Sequence, residues 1–253
     1  MKQAFSKFGL FLALGFIIAV FNSCNKDDNN NSSSGGNASK ITATNIINGS
    51  TRIVSVKAIA YGYDWNEEAI AQAPYKDNGF ALELPAVLPD KYLELAPDDF
   101  PSWATISDDN AKVYELADIF AYNESEDEIG CFLLIQATLV SEYVTFWYYA
   151  DRDITIKGED KDIYGYYENI DKYDLKLKKG WNVVYFRYTE SYDKSTDREV
   201  ETYSITSQKP SNINFTWYFE RYHSDFRSAR VAAKSVENRK DVLSKLKEKR
   251  NIN

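Results

Sequence analysis

From residue 41 to about 222 short strand-like runs follow one another, several with apolar and polar side chains exchanging at every second position, and this restricts most of the chain to β-strands. Val54, Val56, Ala58 and Ala60 alternate with Ser55, Lys57 and Ile59, and Phe80, Leu82 and Leu84 alternate with Ala81 and Glu83. Near the end, Ile213, Phe215, Trp217 and Phe219 face one way while Asn214, Thr216, Tyr218 and Glu220 face the other. Further runs at 113–122, 131–140, 143–150, 153–157, 174–177, 183–192 and 200–206 fill the interval, and none keeps a helical period. Asn78-Gly79 between two such runs predicts a β-hairpin. The expected fold class is therefore all-β, an antiparallel β-sandwich over residues 41–222, as one domain or two subdomains.

The start of the chain has a different character. Lys2 and Lys7 precede an uncharged run at 8–21, too short for a permanent membrane-spanning helix, and small Ser23 precedes Cys24. Residues 1–23 thus read as a signal peptide. Ser23-Cys24 resembles the lipobox of bacterial lipoproteins, although Phe21 and Asn22 depart from its usual residues. The resemblance implies cleavage before Cys24 and acylation of its thiol. An ordinary cleaved signal or a short anchor helix is the alternative. Two or three acyl chains hold a protein on a membrane almost permanently, at about 0.8 kcal/mol per buried methylene. Lys26, Asp27 and Asp28 follow, and Cys24-Asn25-Lys26-Asp27-Asp28 is similar to the surface-export signal of Bacteroidetes lipoproteins. That similarity implies an outer-membrane address facing the exterior. Residues 24–40 are small and polar after this point, a flexible tether reaching about 20 Å.

Loss of residues 1–23 removes Lys2 and Lys7 and no acid, so the net charge of −8 becomes −10. Such a surface repels nucleic acid. With Cys24 acylated, Cys131 alone remains, so no internal disulfide supports the fold. Its apolar surroundings predict a buried, inert thiol.

Two stretches carry a further resemblance. Ala73-Pro74-Tyr75 with Asn78-Gly79-Phe80-Ala81-Leu82-Glu83-Leu84-Pro85 resembles the hairpin of transthyretin-like and carboxypeptidase-regulatory-like sandwiches. Tyr149-Ala150-Asp151-Arg152-Asp153-Ile154-Thr155-Ile156-Lys157-Gly158, followed by Leu175-Lys176-Leu177-Lys178-Lys179-Gly180-Trp181-Asn182, resembles a group of β-sandwich surface lipoproteins of gut Bacteroidetes. The group has no established activity, so the resemblance implies architecture and location rather than chemistry. Trp181, after a Lys-Lys-Gly turn, reads as a core anchor at a strand start.

Residues 224–253 hold nine Lys/Arg and four Asp/Glu, and Phe226, Ala229, Ala233, Val236, Leu243 and Leu246 recur at helical spacings. The expectation for 223–253 is a basic amphipathic helix capped by Ser224 or Asp225. It would meet anionic lipopolysaccharide or an acidic partner, dock on this chain's own sandwich, or remain a solvated tail.

Catalytic signatures are sparse. His223 is the one histidine, which argues against a zinc centre, and neither a nucleophile elbow nor a phosphate-binding glycine loop is present. No catalytic residue, metal ligand or cofactor is assigned. Carboxylates cluster at Asp98-Asp99, Asp108-Asp109, 124–128, Asp151 with Asp153, and 159–162; Asp160, Asp162 and Gly165 approach a calcium loop without matching it. Aromatic residues are the abundant raw material, with nineteen tyrosines, many outside alternating runs: Tyr61-Gly62-Tyr63-Asp64-Trp65, Trp103, and Tyr164-Gly165-Tyr166-Tyr167 with Tyr173. Trp103, Tyr166 and Tyr167 are the candidate ligand-stacking residues; the competing reading is that such rings cover strand edges. The expected function is a membrane-anchored surface protein with a non-catalytic binding or assembly role toward a glycan or a surface protein complex. The alternative is a glycan hydrolase using two carboxylates.

Overall fold

A computed structural model of the chain describes residues 38–62, 66–116, 118–137 and 141–221. Fifteen strands occupy them: β1 (Lys40–Ala43), β2 (Ser55–Tyr61), β3 (Glu67–Pro74), β4 (Phe80–Glu83), β5 (Glu94–Leu95), β6 (Thr105–Ile106), β7 (Lys112–Leu116), β8 (Ile119–Tyr122), β9 (Glu128–Ala137), β10 (Ser141–Ala150), β11 (Ile154–Tyr164), β12 (Tyr167–Leu177), β13 (Gly180–Asp193), β14 (Arg198–Thr206) and β15 (Thr216–Arg221). One helical turn, α1 (Ala96–Asp99), and a 3-10 turn at Asp90–Tyr92 interrupt them. The all-β expectation holds. The signal peptide, Cys24, Lys26, Asp27, Asp28, His223 and the C-terminal helix expected over 223–253 lie outside the described residues.

Thirteen strands join one sheet in the order β3-β2-β8-β9-β10-β13-β14-β12-β11-β6, with β15 added on β9 and β5–β7 added on β10. The sheet curls where strands share partners. One edge of β9 pairs first with β8 and then with β10, and one edge of β10 pairs first with β9 and then with β7. β1 and β4 form a separate antiparallel pair.

Two hydrophobic clusters lie against opposite faces of β10 and β13. One gathers Trp147, Tyr149 and Trp181 with Ile41 and Leu82 of the β1–β4 pair and with Trp217. The other gathers Tyr148, Ala150 and Val184 with Phe100, Ile156 and Leu175. Residues 147–150 are consequently buried one after another, and strict alternation is lost there. Each fully buried Leu or Ile contributes about 1.5–3 kcal/mol. Trp181 is 1% exposed, and its indole N–H donates to the Pro85 carbonyl at 2.8 Å, as expected of a core anchor. The turn before it is laced by buried Asn182, whose Oδ1 accepts from the Lys178 N–H (2.8 Å) while Nδ2 donates to the carbonyls of Lys178 (2.7 Å) and Gly180 (2.8 Å).

Three expectations need correction. The sheet is not wholly antiparallel: β12 and β14 pair in parallel over eight register positions. β13 returns from β12 without pairing with it, and β14 folds back into the gap between them. The Asn78-Gly79 hairpin is a turn without a hairpin. Asp77 and Asn78 both have positive φ (51° and 54°) and Lys76 and Gly79 exchange backbone hydrogen bonds, as a type I′ turn requires. Its flanking strands then part, β3 to β2 and β4 to β1. The Asn78 side chain donates to the Ile46 carbonyl at 2.9 Å, tying the turn to the segment after β1. The run at 113–122 splits into β7 and β8, which take different neighbours.

β11 and β12 also extend well beyond their predicted runs. These extensions are held by cross-strand ion pairs in place of an apolar pattern, Lys172–Glu159 at 2.9 Å and Lys161–Glu168 at 2.5 Å.

Candidate functional site

The outer halves of β11, β12, β13 and β14 continue past both hydrophobic clusters and end in two turns. In the first, Gly165-Tyr166 joins β11 to β12, with Tyr164 paired to Tyr167. Gly165 has a φ of 62°, the left-handed conformation that the first central position of a type II′ turn demands. The second turn, residues 194–197, joins β13 to β14. There the Asp193 carboxylate accepts from the hydroxyl (2.7 Å) and N–H (2.9 Å) of Ser195 and from the Thr196 hydroxyl (2.9 Å), which holds it below the usual carboxylate range. The Tyr192 hydroxyl donates to Asp197. The Glu199 N–H donates to the Tyr166 carbonyl at 2.8 Å and fastens the two turns into one tip.

Four tyrosines stand out from this tip: Tyr164 is 63% exposed, Tyr166 73%, Tyr167 51% and Tyr192 55%. Tyr164, Tyr167 and Tyr192 stand in one row across the strands, with Glu199 between the last two, and large rings left this open make the tip a candidate contact surface. Tyr166 and Tyr167 are thus placed together. Tyr192 joins them from 25 residues away in sequence, on a strand whose alternation marks neither an exposed nor a buried face at that point.

Trp103 lies elsewhere. Its ring packs on Tyr173 with centroids 5.3 Å apart, and it rests on Gly158, where an added Cβ would come within 2.9 Å of the indole. Gly158 pairs with Tyr173, six register positions from the Tyr164–Tyr167 pair, or about 20 Å along the strand. Phe100 meets Tyr173 edge-on at 5.5 Å, so Trp103 and Tyr173 prolong the second hydrophobic cluster outward. Burial, with Asp99, Glu115 and Asp171 nearby, pushes the Tyr173 hydroxyl well above its ordinary range. Tyr63 and Trp65 lie outside the described residues.

Asp108, Asp151 and Asp153 tie down loops and turns. Asp108 accepts from the Asn110 N–H (2.9 Å) and pairs with Arg152 (3.2 Å), and these hold it low. Burial raises Asp151, but Arg152 at 3.0 Å and the Lys112 N–H at 2.9 Å outweigh it. Lys178 at 2.7 Å, with the Lys179 N–H, lowers Asp153. Carboxylates held low this way are ionised at neutral pH and are poor general acids. Asp160 and Asp162 stand in the extended strand β11 rather than in a loop that could wrap calcium. Among the described residues no three His, Cys, Asp or Glu converge as a metal site. Cys131 is partly exposed in β9 rather than buried.

Compared with protein-family models, curated proteins and solved structures, the chain matches none of them.

Proposed function

We propose that this chain is a lipid-anchored protein of the bacterial outer membrane whose β domain is a non-catalytic binding module, presenting the tyrosines of its tip to a glycan. The observation that carries the binding reading is the group of four tyrosines, each more than half exposed, on a tip fastened by the Glu199–Tyr166 hydrogen bond. Tyrosine rings offer an apolar face and a hydroxyl at little entropic cost, a combination suited to stacking on sugar rings. The anchoring part rests on Ser23-Cys24 and on Lys26, Asp27 and Asp28, with 24–40 as tether. A sandwich layering belongs to the same proposal, supported by the core that Ile41 and Leu82 of the β1–β4 pair share with Trp147 and Trp181 of the large sheet. So does a basic helix over 223–253, supported by the spacing of its apolar residues.

Replacing Tyr166 and Tyr167 together by Ala tests the binding surface. Exposed rings contribute little to the core, so stability should change by less than about 0.5 kcal/mol for each ring. Affinity for glycans bound by the wild type on an array should fall about tenfold or more, as for the loss of interface hot spots. A stable double variant with wild-type glycan binding, or a wild type that binds no glycan, overturns the platform.

The anchor has its own test. Cys24→Ala should leave the precursor uncleaved at the Ser23-Cys24 bond and without acyl label. Processing of the variant at the same bond, with retention of its acyl label, would show that Cys24 is not the lipidated residue.

A further inference from the structure

The register of β11, β12, β14 and β13 sorts their side chains onto two faces with opposite electrostatic character. On one face the outermost row across the strands is Tyr164, Tyr167, Glu199 and Tyr192. The next row inward is Asp162, Asn169, Glu201 and Glu190. The third is Asp160, Asp171, Tyr203 and Tyr188, continued onto β10 by Glu142. Every strand thus contributes an acid to this face, and no Lys or Arg stands in the three rows. The other face alternates signs and neutralises itself through Lys161–Glu168 (2.5 Å), Lys172–Glu159 (2.9 Å) and the longer Arg198–Glu168 contact (3.8 Å).

The acidic face is also ordered. Tyr203 donates to Glu201 at 2.8 Å and Tyr188 at 3.3 Å, and their rings lie 5.2 Å apart. Burial, then Glu201 and Glu190, push the Tyr188 hydroxyl up to about 12, and burial raises Glu142. The Glu201 carboxylate is thus fixed beside two aromatic rings held in place. Asp162, Glu190 and Glu199 are exposed, as are Tyr164, Tyr167 and Tyr192.

We propose that this sheet face docks an arginine- and lysine-rich segment of a partner protein. A guanidinium can stack on a tyrosine ring and fork onto a carboxylate at once, so the interleaving of the two residue types suits arginine above other cations. The face excludes the opposite chemistry, since sulfated or uronate glycans, nucleic acid and anionic lipid meet a uniform negative field. With strands about 4.8 Å apart, the rows are some 15–20 Å wide, room for an extended segment of about six residues. A contact of that size is transient by itself. The face shares Tyr164, Tyr167 and Tyr192 with the tip of the glycan reading, so the test below changes only carboxylates and leaves every tip tyrosine in place.

The test uses labelled octa-arginine and octa-lysine against the full-length chain at physiological salt. Octa-arginine should bind more tightly than octa-lysine and weaken steeply as salt rises. Asp162→Asn with Glu190→Gln should weaken octa-arginine binding about tenfold without shifting the melting temperature. A control removing two charges elsewhere, Glu83→Gln with Glu124→Gln, should change it less than twofold. Equal weakening in both variants would mean diffuse attraction to an acidic protein and would overturn the docking face, as would wild-type binding by Asp162→Asn with Glu190→Gln. Absence of octa-arginine binding overturns it as well.

Discussion

Trp181→Ala should lower the melting temperature by about 6–20 °C. The indole is 1% exposed, meets the Tyr149 ring edge-on at 5.4 Å, and donates to the Pro85 carbonyl at 2.8 Å. Truncating a buried Trp to Ala costs about 3–5 kcal/mol, against a total domain stability of about 5–15 kcal/mol. At about 2–4 °C per kcal/mol for a domain of this size, the expected shift follows. Two losses combine. The cavity would open between the large sheet and the segment carrying Pro85, and the Pro85 carbonyl would lose its donor. Trp181→Phe separates them, since it keeps most of the volume and removes only the N–H; it should cost less than half as much. A melting temperature within about 3 °C of wild type for Trp181→Ala would show that the packing of the Pro85 segment on the large sheet does not depend on this ring.

Gly130→Ala should be nearly as damaging, for a different reason. Gly130 sits in β9 between β8 and β15, opposite Ala121 on one side and Arg221 on the other. A Cβ there would lie 2.2 Å from the Glu220 carbonyl oxygen and 2.6 Å from the Phe219 ring. The oxygen belongs to the backbone of the paired strand, so relief requires β15 itself to move. Overpacking usually costs about 1–3 kcal/mol, and a backbone obstacle places this substitution at the upper end. Hydrogen exchange should report the damage locally, with protection lost first in β15. Gly165→Ala is a useful contrast. Nothing lies within 4 Å of a Cβ there, so only the turn's left-handed φ of 62° would be strained. Unchanged protection of β15 in Gly130→Ala would overturn the close-approach argument.

The parts of the candidate site differed in how far local sequence revealed them. Gly165 between Tyr164 and Tyr166 signals a tight turn, and residues at a turn tip are exposed, so Tyr166 and Tyr167 were recognisable. Trp103 carries the same aromatic signal but meets Gly158, a residue 55 positions later, and its place depends on that distant contact. Tyr192 reaches the tip because β14 folds back beside β12, a pairing that no property of residues 198–206 announces. The acidic face was hidden for a related reason. Within β11, Glu159, Asp160, Lys161 and Asp162 read as a mixed run, and the pleat then sends Asp160 and Asp162 to one face and Glu159 and Lys161 to the other.

Period-two patterning alone determined the all-β class, because a strand side chain points to one face or the other at every second residue whatever its partner. Buried Trp181 was determined in the same way, by a large ring at a strand start beside a tight turn. Tertiary structure decided which strands became neighbours: the parallel β12–β14 pair, the parting of β3 from β4 after a well-formed turn, and the burial of β10 on both faces. Pairing order depends on how backbone hydrogen bonds and buried area are shared among all the strands together, so no single strand encodes it.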